Sequence, residues 1–158
     1  MTKTEMKLND TRIQLEMALS RENVEKPDLV KSCIHAFITN ARSVTVTMQN
    51  ESNASAELAK WVEARQEQMR KIPLERFFYE QRVISIQQRS VKSNRRFEKI
   101  EKMEPDGRGL GPGGAILVYE FEGFDKLFPG DSGNVFSLCI DYYDYLQKMV
   151  NAWLEVMG

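Results

Sequence analysis

Apolar residues recur every three to four positions along most of the chain, the period of one face of an α-helix. Five helices are expected from that pattern. The first spans about Thr4 to Asn23, with Leu8, Leu15 and Leu19 in line and Ile13 and Met17 beside them. Pro27 and Asp28 open the second, because proline is pre-set for the first helical position and aspartate suits the first turn. Its stripe of Leu29/Val30, Cys33/Ile34, Phe37/Ile38, Ala41, Val44 and Met48 marks it as the central helix of a bundle. The polar run 49–55 breaks that stripe, and Asn53 or Ser55 can cap a third helix, about Ser55 to Lys71, which carries Leu58, Trp61, Val62 and Met69. Pro73 restarts the chain into a fourth helix with Leu74, Phe77, Phe78, Ile84 and Ile86 apolar. The last, about Ser132 to Met157, places Val135, Leu138, Cys139, Tyr142, Leu146, Met149, Val150, Trp153 and Leu154 on one side.

The period changes between the fourth and last helices. Residues 90–103 read as extended, residues 103–114 hold five glycines and two prolines and read as a loop, and the run from Ala115 to Glu122 is rich in β-branched and aromatic residues, as a strand is. The expected fold is therefore mainly α: an antiparallel helical bundle of about five helices with a β-hairpin before the C-terminal helix. Nothing divides the chain, so residues 1–158 are read as one domain.

Composition narrows the classes. With 158 residues, 42% hydrophobic and 28% charged, the chain has the balance of an ordinary globular domain. No run approaches the ~18 apolar residues of a membrane span. The opening residues are polar where a secretion signal would be apolar, so a cytoplasmic protein without a membrane partner is expected. Cys33 and Cys139 lie far apart with no histidine cluster, which points to buried reduced thiols; no metal or other cofactor is expected. Charge is uneven beneath a net −1. Residues 70–102 carry 10 basic and 4 acidic side chains, whereas residues 103–158 carry 3 and 9. A basic segment can follow a phosphate backbone. The two segments can equally lie together and neutralise each other, and the overall pI near 6.0 favours that plainer account.

Few motifs carry chemistry. The glycine-rich loop from Gly107 lacks the Lys-Ser/Thr pair of a phosphate cradle and leads into a strand, so it is read as a connection. Tyr142, Tyr143, Tyr145 and Trp153 are spaced as core or dimer surface. His35 is the only imidazole in the molecule, and its helical setting makes it a bundle-facing or flanking residue.

The run from Val30 to Ser90 holds the most specific stretches, Ala41-Arg-Ser-Val-Thr and Pro73-Leu-Glu-Arg-Phe-Phe, with Trp61-Val-Glu-Ala-Arg between them. It resembles bacterial proteins of the HEPN superfamily (higher eukaryotes and prokaryotes nucleotide-binding). That resemblance implies an antiparallel helical bundle, commonly dimeric, of a kind that includes metal-independent ribonucleases of toxin–antitoxin and phage-defence systems and also non-catalytic binding modules. Active members carry an arginine followed four to six residues later by histidine. Arg82 matches the arginine, but Gln87 or Gln88 stands in the place of the histidine. A glutamine amide can hydrogen-bond a phosphate yet cannot shuttle a proton near neutral pH as imidazole does.

The expectation is a catalytically degenerate HEPN-like protein, a homodimer, that binds RNA or a protein partner such as an antitoxin. Arg82 would be the main phosphate contact, Gln87 and Gln88 neighbours, and Arg89, Arg95 and Arg96 outer basic contacts. A metal-independent ribonuclease using Arg82, and a purely structural or interaction module without a nucleic-acid role, are the alternatives.

Overall fold

The computed structural model describes residues 1–20, 22–23, 26–87, 97–103, 115–121 and 134–158, with side chains described up to residue 80 and from residue 134. Five helices make up its body: α1 (Lys3–Leu19), α2 (Pro27–Ser52), α3 (Ala56–Met69), α4 (Pro73–Gln87) and α5 (Val135–Met157). Their boundaries follow local chemistry. Pro27 and Pro73 each stand at a helix start, Ser55 Oγ accepts the Leu58 amide to cap α3, and Asn134 Oδ1 accepts the Ser137 amide at 2.9 Å to cap α5. The expected mainly helical architecture is what the structure shows. The expected hairpin falls partly on residues 104–114, which lie outside the described residues; what is recorded is backbone pairing of Phe97–Met103 (β1) with Ala115–Phe121 (β2), antiparallel.

Helix α2 is the axis, with α1, α3, α4 and α5 all packed against it. Val30, Ile34, Phe37, Ala41 and Val44 on it are completely buried. Cys33 and Cys139 are buried free thiols, and burial pushes both above the ordinary thiol value. No helix among the described residues is long and apolar enough to cross a membrane.

Helix α1 departs from expectation in its face and in its end. Its buried residues are Thr4, Leu8, Thr11, Leu15 and Ala18, while Ile13, Met17 and Leu19 are about two-fifths exposed. The alternating four- and three-residue spacing is that of two helices meeting along a narrow seam. Large apolar side chains are a poor guide to such a seam, because Ala18 and the two threonines take positions where backbones come close. Thr11 is satisfied by donating to the Lys7 carbonyl at 2.8 Å. The helix stops at Leu19, short of Asn23, whose side-chain amide turns back to donate to the Met17 carbonyl at 2.9 Å.

Polar contacts fix the C-terminal end of α2. At the start of α1, Thr2 and Glu5 form a reciprocal capping box. Glu51, in the last turn of α2, adds a second cap. Its carboxylate accepts the Lys3 and Thr4 amides at 3.0 and 2.9 Å and the Thr4 hydroxyl at 2.5 Å. Partial burial pushes this carboxyl up, but the hydrogen bonds from Thr4 and Lys3 outweigh it and hold Glu51 below the ordinary carboxylate value. Beside it, the fully buried Trp153 of α5 donates its indole N–H to Ser52 Oγ at 2.8 Å, and that hydroxyl donates to the Met48 carbonyl at 2.7 Å.

Two substitutions test these ties by urea unfolding. Ser52→Ala strands a buried indole N–H and should cost about 1–3 kcal/mol. Glu51→Ala should cost about 1–2 kcal/mol, the range of a lost helix cap. Because the folded Glu51 carboxyl lies below its unfolded value, its contribution is present above the ordinary carboxylate range and is lost as pH falls through the folded value. The deficit of Glu51→Ala should therefore shrink on acidification.

Candidate functional site

One cleft of about 480 Å³ opens where α2, α3 and α4 meet, lined by Arg42, Gln66, Met69, Arg70, Glu75, Arg76, Tyr79 and Glu80. That size is within the range of small-ligand sites. Its walls follow from helix register. Arg42 sits on the flank of the α2 core stripe, Gln66 and Arg70 lie on one side of α3, and the first two turns of α4 supply the rest. Three guanidinium groups face two carboxyl groups, so the cleft carries a surplus of positive charge.

Glu75 is the unusual member. It is 94% buried, being only 6% exposed, on the edge of the face that α4 turns to the core. Burial pushes its carboxyl above the ordinary value, against a hydrogen bond from the Tyr142 hydroxyl and the nearby charge of Arg42. Tyr142 of α5 is held in turn by rings. It stacks on Phe78 at 4.4 Å with planes 4° apart, and Phe37 of α2 meets both rings edge-on at 6.2 and 6.4 Å. Burial and then the charge of Glu75 push the Tyr142 phenol well above its ordinary value, so it stays protonated and donates. An aromatic cluster spanning three helices thereby fixes a carboxyl at the floor of the cleft.

Two buried atoms at this floor have no hydrogen-bond partner among the described residues: Glu75 Oε2 and Arg42 Nε. Each such group costs about 1–3 kcal/mol when left unsatisfied. Arg42 makes two further contacts. One terminal nitrogen donates to Thr45 Oγ1 at 3.3 Å, and the guanidinium carbon lies 5.4 Å from the centre of the Tyr79 ring. Tyr79 is 48% exposed, its ring presented at the cleft mouth. The arrangement offers cations and one aromatic face.

The residues expected from sequence stand differently. Arg82 and Gln87 belong to α4, Arg82 two turns beyond Glu75 on the same side of the helix, but their side chains lie outside the described residues. Gln88, Arg89, Arg95 and Arg96 lie outside them altogether. His35 is half-buried on α2 and does not line the cleft. The sequence reading passed over Arg42, Glu75 and Tyr79 as site residues, and took in Arg70 and Arg76 only as part of the basic segment 70–102. The available signal was Glu75, a carboxylate three residues before Phe78 and so on nearly the same face of an apolar helix.

The family model described as bacteriophage lambda protein ea47 matches residues 2–95, more than half of the chain. The chain belongs to that family. The matched span runs from the N-terminal cap through α4 and includes every residue lining the cleft, so the cleft lies wholly within the ea47 region. No curated protein and no solved structure matches the chain.

This membership overturns the HEPN resemblance, because the ea47 match covers the same stretches on which that resemblance was built. Ala41-Arg-Ser-Val-Thr and Pro73-Leu-Glu-Arg-Phe-Phe are helix flanks that place an arginine beside core residues, a pattern any helical bundle produces. With it go the reading of Gln87 or Gln88 as a replaced catalytic histidine and the toxin–antitoxin setting, both of which rested on the resemblance alone.

Replacing Glu75 checks the geometry. Its folded carboxyl lies above the unfolded value, so ionisation opposes folding as pH rises through the unfolded and then the folded value. Glu75→Gln should raise Tm at neutral pH, and the gain should vanish below the ordinary carboxylate range, in thermal melts at stepped pH.

Proposed function

We propose that this ea47-family protein binds single-stranded RNA without cleaving it. The observation that carries the reading is the grouping of Arg42, Arg70 and Arg76 around one cleft with the exposed ring of Tyr79 at its mouth. Guanidinium groups grip phosphate bidentately, and an exposed aromatic face beside them suits an unpaired base. Binding is favoured over cleavage because the one carboxyl at the floor is tied to Tyr142 and no imidazole lines the cleft. In this reading Arg82, Gln87, Gln88, Arg89, Arg95 and Arg96 extend the contact beyond the cleft, and the β-hairpin carries part of that basic segment. A protein partner is the second reading, favoured by the outward apolar stripe of Met6, Ile13 and Met17 on α1.

The test is anisotropy of a labelled single-stranded RNA in EDTA. The three cleft arginines alone, as phosphate contacts on a single strand, should make binding weaken roughly twentyfold between 50 and 200 mM salt, and contacts from the basic segment should steepen that fall. Arg70→Glu with Arg76→Glu should weaken it at least tenfold. Absent or salt-independent binding removes the RNA reading, and cleavage lost in Arg82→Ala would restore an enzyme.

The same proposal takes the protein as a homodimer. Light scattering at micromolar concentration should give twice the chain mass of 18.3 kDa; a monomer removes that part alone.

A further inference from the structure

We infer that Glu75 makes the grip of the cleft on RNA depend on proton uptake: the cleft holds a strand more tightly with this carboxyl protonated than with it ionised. The inference rests on the RNA-binding reading and deepens it by adding a control of the same site. It starts from placement. A carboxyl only 6% exposed lines a cleft whose walls also carry the guanidinium groups of Arg42, Arg70 and Arg76. Burial penalises the ionised form of such a group, while the charge of Arg42 and the Tyr142 phenol favour it. Charge acts through space, so a phosphate gripped by those arginines feels Glu75 without touching it.

The groups around Glu75 decide what changes with pH. Arg42 comes from α2, Arg70 from α3, Arg76 and Glu80 from its own helix, and the Tyr142 and Tyr145 phenols from α5. Guanidinium groups stay charged throughout. Burial, and then the charge of Glu75, push both phenols above the ordinary value, so they stay protonated through neutral pH. Glu75 itself takes up its proton above the ordinary carboxylate value. That step removes one of the two negative charges lining the cleft. It also frees Arg42, whose charge otherwise acts on Glu75, to act on a phosphate. The effect is reciprocal: a bound strand must raise the titration of Glu75 by the factor by which protonation tightens binding.

The experiment uses the full chain and a labelled oligouridylate, whose bases stay neutral between about pH 5 and 8, in anisotropy titrations at fixed salt. Acidification across that interval should tighten wild-type binding at least threefold beyond any change in Glu75→Gln. At the upper end Glu75→Gln should bind at least threefold more tightly than wild type. His35, two turns before Arg42 on α2, and the exposed carboxylates are common to both proteins, so the difference isolates Glu75. Tyr142→Phe, which removes a group that favours the ionised form, should move the midpoint of the tightening to higher pH. Parallel pH profiles in wild type and a folded Glu75→Gln overturn the inference and leave RNA binding intact. If circular dichroism shows that Glu75→Gln does not fold, an unmoved midpoint in Tyr142→Phe overturns it instead. Failure of the wild-type protein to bind the strand at any pH overturns the RNA reading, and this inference with it.

Discussion

The pairing of the Tyr142 phenol with the Glu75 carboxyl joins the core of this protein to its cleft. A carboxyl taken out of water is unfavourable unless its oxygens are met by donors. Here one oxygen is met by a phenol whose own ring is clamped between Phe78 and Phe37. The clamp draws on α2, α4 and α5 at once, so the floor of the cleft cannot shift without disturbing the packing of three helices. The other oxygen remains unmet among the described residues, as does the Arg42 Nε nitrogen. A cleft floor held this firmly has its ordering cost met by the fold before any ligand arrives.

At the C-terminal end of α2, between two and three turns past Arg42, the polar groups are matched. Glu51 closes the start of α1, and Ser52 receives Trp153 from α5. Adjacent residues thereby fix both neighbouring helices against one end of the axis. Among the described residues, the two buried polar side-chain atoms without a partner both belong to residues that line the cleft. Buried polar groups are so regularly paired in folded proteins that two orphans on residues of one cleft set that region apart from the rest of the core.

Helix placement was legible because punctuation and period agreed. Pro27, Pro73 and Ser55 mark starts that the structure repeats, and the stripe of α2 is buried as read. The face of α1 was hidden because its seam runs through Thr4, Thr11 and Ala18, which carry little hydrophobic signal. The cleft was hidden for a different reason. Arg42, Glu75 and Tyr79 each look like ordinary flank residues on their own helix, and only the packing of α2 against α4 brings them to one place. Short arginine-bearing flanks also suggested a resemblance to HEPN proteins that the ea47 family match corrects.

The most direct measurement of the central link is carbon-13 NMR titration of the Glu75 side-chain carboxyl, in the wild-type chain and in Tyr142→Phe. The account requires Glu75 to titrate above the other glutamates, and to move higher still when the phenol that favours its ionised form is removed. A Glu75 that titrates with the exposed carboxylates and is unmoved by Tyr142→Phe would contradict it.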